Sequence, residues 1–91
     1  MKYSPEQLTA IEQMATICTP PSEIAVLLDL PEEAFKADIA MSGSPARQAY
    51  LKGKLSTKIE IRKQMVTLAR VGSPAALEMV DRALLDMEDD E

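Results

Sequence analysis

Proline most tightly constrains what this chain can become. Its six prolines, Pro5, Pro20, Pro21, Pro31, Pro45 and Pro74, cut the sequence into five stretches with helical patterning. Proline lacks the N–H that a helix interior needs and clashes with the preceding turn, yet it suits a first turn. Ser4 is a good N-cap, Pro5 fits the first helical position, and Gln7 completes a capping-box pattern. From there Leu8, Ile11, Met14, Ala15 and Cys18 recur at helical spacing and predict one buried stripe. Cys18 reads as its small buried hydrophobe. Thr19-Pro20-Pro21 stops that helix.

A short second helix is predicted over residues 22–28, with Ile24, Leu27 and Leu28 apolar, and Asp29-Leu30 forms a tight turn. Pro31 starts a third helix, with Glu32 and Glu33 in the first turn, where the helix dipole favours acids. Phe35 and Ile39 are its core contacts. Ser42-Gly43-Ser44-Pro45 is the clearest loop and reads as a hinge. A long fourth helix follows over 46–71; its interior Gly53 marks a kink or a close helix contact. Gly72-Ser73-Pro74 supplies a terminating glycine, an N-cap and a first-turn proline in succession, a sharp reversal into a fifth helix over 75–87. That helix carries the stripe Ala76, Leu77, Val80, Ala83, Leu84 and Met87, and the acidic residues 88–91 are expected to fray.

Apolar residues are 46% of the chain, but there is no Trp and only one Phe and two Tyr, so Leu, Ile, Val, Ala and Met must build the core, which suits packed helices. The expected fold is all-α: an N-terminal three-helix helix-turn-helix-like bundle (1–41), a hinge loop (42–45), an antiparallel hairpin of a long and a short helix for assembly (46–87), and an acidic tail (88–91). Five methionines, Met14, Met41, Met65, Met79 and Met87, read as pliable packing.

The chemistry of catalysis is missing from the sequence. There is no histidine, the commonest general base and metal ligand, and one cysteine. The three glycines stand apart, so no phosphate loop forms, and the acidic tail lacks the glycine turn and ligand spacing of a calcium loop. The chain is therefore expected not to be an enzyme and to need no cofactor and no metal. No signal peptide or membrane span is visible, so no membrane contact and a cytoplasmic location are expected.

A net charge of −5 argues against a protein that coats nucleic acid indiscriminately. The charge is strongly segregated, however. Residues 1–41 hold 2 basic and 7 acidic side chains, residues 42–71 hold 7 and 1, and residues 72–91 hold 1 and 7. A polyanion would meet the middle segment. On a helix, Lys52, Lys63 and Arg70 fall within about 20° of one another, and Arg47, Lys54 and Lys58 within about 40°, with Arg62 just beyond. Such ribbons suit contact with a phosphate backbone; a solvated face, or one paired with Glu78 and Asp81 on helix 5, has the same pattern. Helix 3 offers Glu32, Glu33, Lys36 and Asp38, whereas readers of base edges carry Arg, Lys, Asn, Gln, Ser or Thr.

Between positions 59 and 71 the apolar residues Ile59, Ile61, Met65, Val66, Leu68 and Ala69 sweep an arc of about 180°, and one partner helix needs only a little over about 100°. Homo-oligomerisation is the expectation, through Ile59, Ile61, Met65, Val66 and Leu68 on helix 4 with Leu84 and Met87 on helix 5.

Three motifs carry a family resemblance. Ile24, Ala25, Leu28, Leu30 and Phe35 have the spacing of a helix-turn-helix, with Ala25 at the close approach and Asp29 at the turn position where glycine is usual; an unrelated small bundle fits the same spacing. Ser22-Glu23-Ile24-Ala25-Val26-Leu27-Leu28-Asp29-Leu30, then Ala49-Tyr50-Leu51-Lys52-Gly53-Lys54, then Leu68-Ala69-Arg70-Val71-Gly72-Ser73-Pro74-Ala75-Ala76 resemble, in order, parts of phage terminase small subunits and related prophage helix-turn-helix proteins. Together they span about residues 20–85.

The resemblance implies a genome-packaging adaptor. It would recognise double-stranded DNA, oligomerise through the helical hairpin, and present its C-terminal segment to a terminase large subunit that holds the ATPase and nuclease. Lys36, Arg47, Lys52, Lys54 and Lys58 would then contact phosphates, with Arg62 and Lys63 extending the basic surface. Two other readings stand beside it: a structural or protein-binding module in which the helix-turn-helix is only scaffold, and a transcriptional regulator.

Overall fold

The computed structural model describes residues 2–91 and is all-α, with five helices. They are α1 (Pro5–Thr16), α2 (Pro21–Leu27), α3 (Glu32–Ala40), α4 (Pro45–Arg70) and α5 (Pro74–Asp90). Contacts group the chain into two units, Met1–Thr57 and Lys58–Glu91, and the continuous helix α4 contributes to both. The first turns of α4 thus pack with α1–α3, whereas the sequence reading drew its boundary at the 42–45 loop.

The helix starts follow their local chemistry. Ser4 Oγ accepts from the Gln7 N–H at 3.1 Å, and Gln7 Oε1 accepts from the Ser4 N–H at 2.9 Å, a complete capping box. Ser73 caps α5 by accepting from the Ala76 N–H. Pro31 lies just outside α3, as its N-cap, rather than inside its first turn.

Three helix ends share one device. A residue at positive φ turns the chain while two N–H groups bond back into the last turn, the Schellman arrangement. Gly72, at φ 97°, does this after α4, with Ser73 N–H bonding Leu68 O and Gly72 N–H bonding Ala69 O. Asp29, at φ 54°, does it after α2, where the Leu30 N–H reaches Ala25 O at 2.8 Å. The third is Cys18, at φ 64°, and here the structure corrects the sequence reading. The helix ends two residues before the stripe predicts: α1 stops at Thr16, so Cys18 turns the chain and its side chain is exposed rather than buried. At the other terminus, α5 continues through Asp90, where fraying was expected; no proline or glycine interrupts it after Pro74.

The core of the first unit comes from Ile11, Ile24, Ala25, Phe35, Ala46 and Ala49. Ile11, Ile24 and Phe35 are fully buried, and each contributes roughly 1.5–3 kcal/mol of transfer free energy. Tyr3 packs edge-on against Phe35, with centroids 6.4 Å apart, and its hydroxyl donates to Asp38 Oδ2 at 2.6 Å. Burial, together with the Asp38 carboxylate, pushes the Tyr3 phenol well above its ordinary pKa.

Gly53 sets the approach of α1 to α4. A Cβ added there would lie 2.1 Å from the Glu12 carbonyl oxygen and 2.9 Å from Ala15 Cβ. Of the two expectations for this glycine, the close contact is the one observed. One turn on, the Thr57 hydroxyl donates to the Thr16 carbonyl.

Two measurements follow from this packing. Gly53→Ala gains up to about 1 kcal/mol of helix propensity, but the new methyl meets backbone that cannot yield, and overpacking costs about 1–3 kcal/mol or more. Urea unfolding should therefore show net destabilisation; a more stable variant would refute the contact. For Tyr3, the folded pKa is raised, so its contribution is full below the unfolded value of about 10 and declines as pH climbs toward the folded value. Tyr3→Phe should lose about 1 kcal/mol at neutral pH, and the gap between the two proteins should narrow in alkaline unfolding titrations.

Candidate functional site

The structure sorts the seven basic residues singled out from the sequence. Arg47 is set apart from the others. Its Nη1 donates to the Ile39 carbonyl at 2.8 Å, and the residue is half-buried. The last turn of α3 holds no basic side chain of its own, so Arg47, arriving from α4, satisfies a carbonyl there and complements the negative end of the dipole. The guanidinium is thereby engaged in holding α3 to α4. Sequence reasoning placed Arg47 among the phosphate contacts because its helical angle matches Lys54 and Lys58. The structural role depends on the 41–44 turn, closed by Ser44 N–H on Met41 O with Gly43 at φ 83°, which folds α4 back toward the end of α3.

Lys36 is exposed and pairs with Glu32 at 3.3 Å, one turn back on α3. In solvent such a pair is worth about 0.3–0.5 kcal/mol, so it does not immobilise the amine. The exposed face around it carries Glu32 and Glu33. Lys52 and Lys54 are exposed on α4 within the first unit, and Lys54 Nζ lies 5.9 Å from the Tyr50 ring centroid, in cation–π range.

In the second unit Lys58, Arg62 and Lys63 are exposed, and Lys63 pairs with Glu60 at 3.5 Å. Ile59, Arg62, Lys63, Val66, Thr67 and Arg70 line a shallow groove of about 400 Å³ along α4. Its walls come from α4 alone. The α5 helix returns antiparallel on another side, where Met65 shares a groove with Met79 and Ala83, and Arg62 shares one with Ala83 and Met87. Among the described residues no ion pair joins α4 to α5 within this unit. The pairing of the basic ribbons with Glu78 and Asp81 of the same chain, one reading of the charge pattern, is thus not what the structure contains.

Burial in this unit is sparse. Ala76 is its sole buried hydrophobic residue among the described ones, while nine of the fourteen exposed large apolar side chains belong to it. Ile59, Ile61, Leu68, Leu84 and Met87 are all exposed, and Met65 and Val66 are half-buried. The apolar residues singled out for assembly are therefore on the surface of the chain.

Two further facts bound the chemistry. Among the described residues no cluster of three or more His, Cys, Asp or Glu side chains could hold a metal ion, and no helix is long and apolar enough to cross a membrane. Compared with protein families, curated protein sequences and solved structures, the chain shows no match.

The two roles assigned to basic residues separate experimentally. Arg47→Ala should lower the unfolding free energy by about 1–3 kcal/mol through loss of a charged hydrogen bond. Lys58→Ala should stay within about 0.5 kcal/mol of the unmodified protein. Equal effects in chemical denaturation would remove the distinction.

Proposed function

We propose that this chain is an oligomerising DNA-binding adaptor of the terminase small-subunit type. The observation that carries the proposal is the imbalance of the second unit, which buries Ala76 and exposes nine large apolar side chains. A two-helix hairpin with so little core gains its stability from packing against something else. A second copy is the simplest source of that packing.

The DNA half of the reading rests on the first unit and on α4. The turn between α2 and α3 has what a helix-turn-helix requires: a left-handed residue at Asp29, a close-packed Ala25 that is 1% exposed, and inner faces closed by Ile24 and Phe35. Lys54 and Lys58 are exposed cations one turn apart on α4, and Lys52 is exposed on the other side of the helix. They are the principal phosphate contacts in this proposal, with Lys36 secondary and Arg47 withdrawn to its structural bond. The acidic face of α3 moves contact away from base edges, so binding is dominated by backbone charge. The acidic residues 89–91 are the part of this segment that a motor subunit would engage in this reading.

A second reading, a protein-binding module that uses the helix-turn-helix as scaffold, is favoured by Glu32 and Glu33 on α3 and by the pairing of Lys36 with Glu32. Fluorescence anisotropy with labelled duplex DNA separates the two. The adaptor should bind at low salt, and its affinity should fall with a log–log slope of roughly −0.9 for each phosphate contacted. Changing Lys52, Lys54 and Lys58 to Glu should remove binding while the helical circular dichroism spectrum is retained. Absence of duplex binding at low salt, at concentrations where the protein self-associates, would leave only the second reading.

A further inference from the structure

The groove walled by α4 alone has a counterpart on α5. In α4, Ile59, Lys63, Val66 and Arg70 stand four, seven and eleven positions from the first, and a helix brings them within about 60° of one another. In α5, Leu77, Asp81, Leu84 and Glu88 have the same spacing and share a face of the same width. One stripe reads apolar, basic, apolar, basic; the other reads apolar, acidic, apolar, acidic. Both are left open by the chain itself. Ile59 is 48% exposed, Leu77 46% and Leu84 50%, while the four charged residues are exposed. The face that α5 turns toward α4 of its own chain is a different one, carrying Met79 and Ala83.

We infer that the Ile59–Lys63–Val66–Arg70 stripe of one copy takes the Leu77–Asp81–Leu84–Glu88 stripe of α5 from a second copy. The inference rests on the assembly half of the adaptor reading and names the surfaces that meet. Its basis is matched spacing with opposite charge. A seven-residue apolar repeat is the geometry by which two helices seat side chains along a shared seam, and flanking charges of opposite sign set which helices pair. With the helices parallel, apolar residues face apolar residues, Lys63 falls beside Asp81 and Arg70 beside Glu88. Two α4 stripes brought together would oppose Lys63 and Arg70 to one another, and two α5 stripes would oppose acids, so each like pairing is disfavoured. Among the described residues no ion pair joins α4 to α5 within the chain, and the exposed i,i+3 pair of Lys63 with Glu60 is weak enough to be exchanged.

The pairing has a consequence for DNA. Lys63, singled out from the sequence as a phosphate contact, is committed to the neighbouring copy. Lys54 and Lys58 lie on another side of α4 and stay open, while Lys52 shares the stripe's side but precedes Ile59 by two turns.

The test is a charge exchange in the full chain, read by native mass spectrometry and sedimentation equilibrium without DNA. One variant carries Lys63→Glu and Arg70→Glu; the other carries Asp81→Lys and Glu88→Lys. All four positions are exposed, and circular dichroism checks that each variant stays helical. Each variant alone should associate at least tenfold more weakly than the unmodified chain. An equal mixture should regain association, with the two variants alternating, because each reversed stripe then meets its complement. If the unmodified chain assembles but either variant alone assembles equally well, or the mixture stays dissociated, the named surfaces are wrong while the adaptor reading survives. If the unmodified chain is monomeric with and without duplex DNA, the assembly half of that reading falls as well.

Discussion

The first unit depends on a side chain that is not there. At Gly53 the backbone of α4 comes so close to the Glu12 carbonyl and Ala15 that no Cβ fits. This approach brings Ala46 and Ala49 of α4 onto the core built by Ile11, Ile24 and Phe35. The buried α4 positions are accordingly small: alanine, alanine and glycine. Large residues there would hold the helices apart, and the few bulky side chains of a 91-residue chain would no longer close a common interior. The interior glycine, unfavourable to an isolated helix, is thus compensated by packing that only the folded unit provides. The Arg47 bond to Ile39 O and the Thr57 bond to Thr16 O then tie α4 to the ends of α3 and α1.

What could be read in advance followed from local chemistry. The capping box at Ser4, the reversal at Gly72 and the left-handed turn at Asp29 each act through a few neighbouring residues, so pattern alone located them. Cys18 shows the limit of that approach. Its spacing fits the α1 stripe, and nothing within the stripe reveals that the helix stops at Thr16. Positive φ at a cysteine is unfavourable by about 1–2 kcal/mol, and the two bonds it completes into the last turn offset that. Long-range pairings were less accessible still. Tyr3 with Asp38, and Arg47 with Ile39 O, join residues whose proximity exists only after the turns have formed. Helical angle grouped Arg47 with Lys54 and Lys58, but angle does not report which end of the helix is covered by a neighbour.

The two units put their apolar residues to different uses. In the first, three large fully buried side chains, Ile11, Ile24 and Phe35, form an interior with buried alanines. In the second, the apolar residues of α4 sweep a wide arc, α5 carries an apolar stripe, and Ala76 is the sole buried hydrophobic residue among the described ones. An arc wider than one partner helix can cover was visible in the sequence of α4, and the exposure of Ile59, Ile61 and Leu68 is its structural form. Small residues placed against large ones let the first unit close on itself. The second has the large residues without the arrangement that would enclose them.

Charge segregation completes the argument, because it bears on both proposed roles at once. The basic segment faces two demands: a polyanion wants cations left free, and assembly wants them matched to acids. Along α4 these demands fall on different positions. Lys63 and Arg70 flank Ile59 and Val66, where neighbouring apolar burial would exclude water and strengthen a charge pair. Lys54 and Lys58 lie on another side of α4 and remain in solvent, where long-range attraction to phosphate operates and salt screens it. A net charge of −5 is unchanged by such pairing, so DNA binding in this proposal depends on where cations stay exposed rather than on the total. Much of the negative charge lies on α5, and assembly would place part of it against the α4 of a neighbour, neutralising acids that would otherwise repel the duplex. On this view self-association does more than gather several binding surfaces. In this proposal it would cover Asp81 and Glu88 together with Lys63 and Arg70, and leave Lys54 and Lys58 exposed.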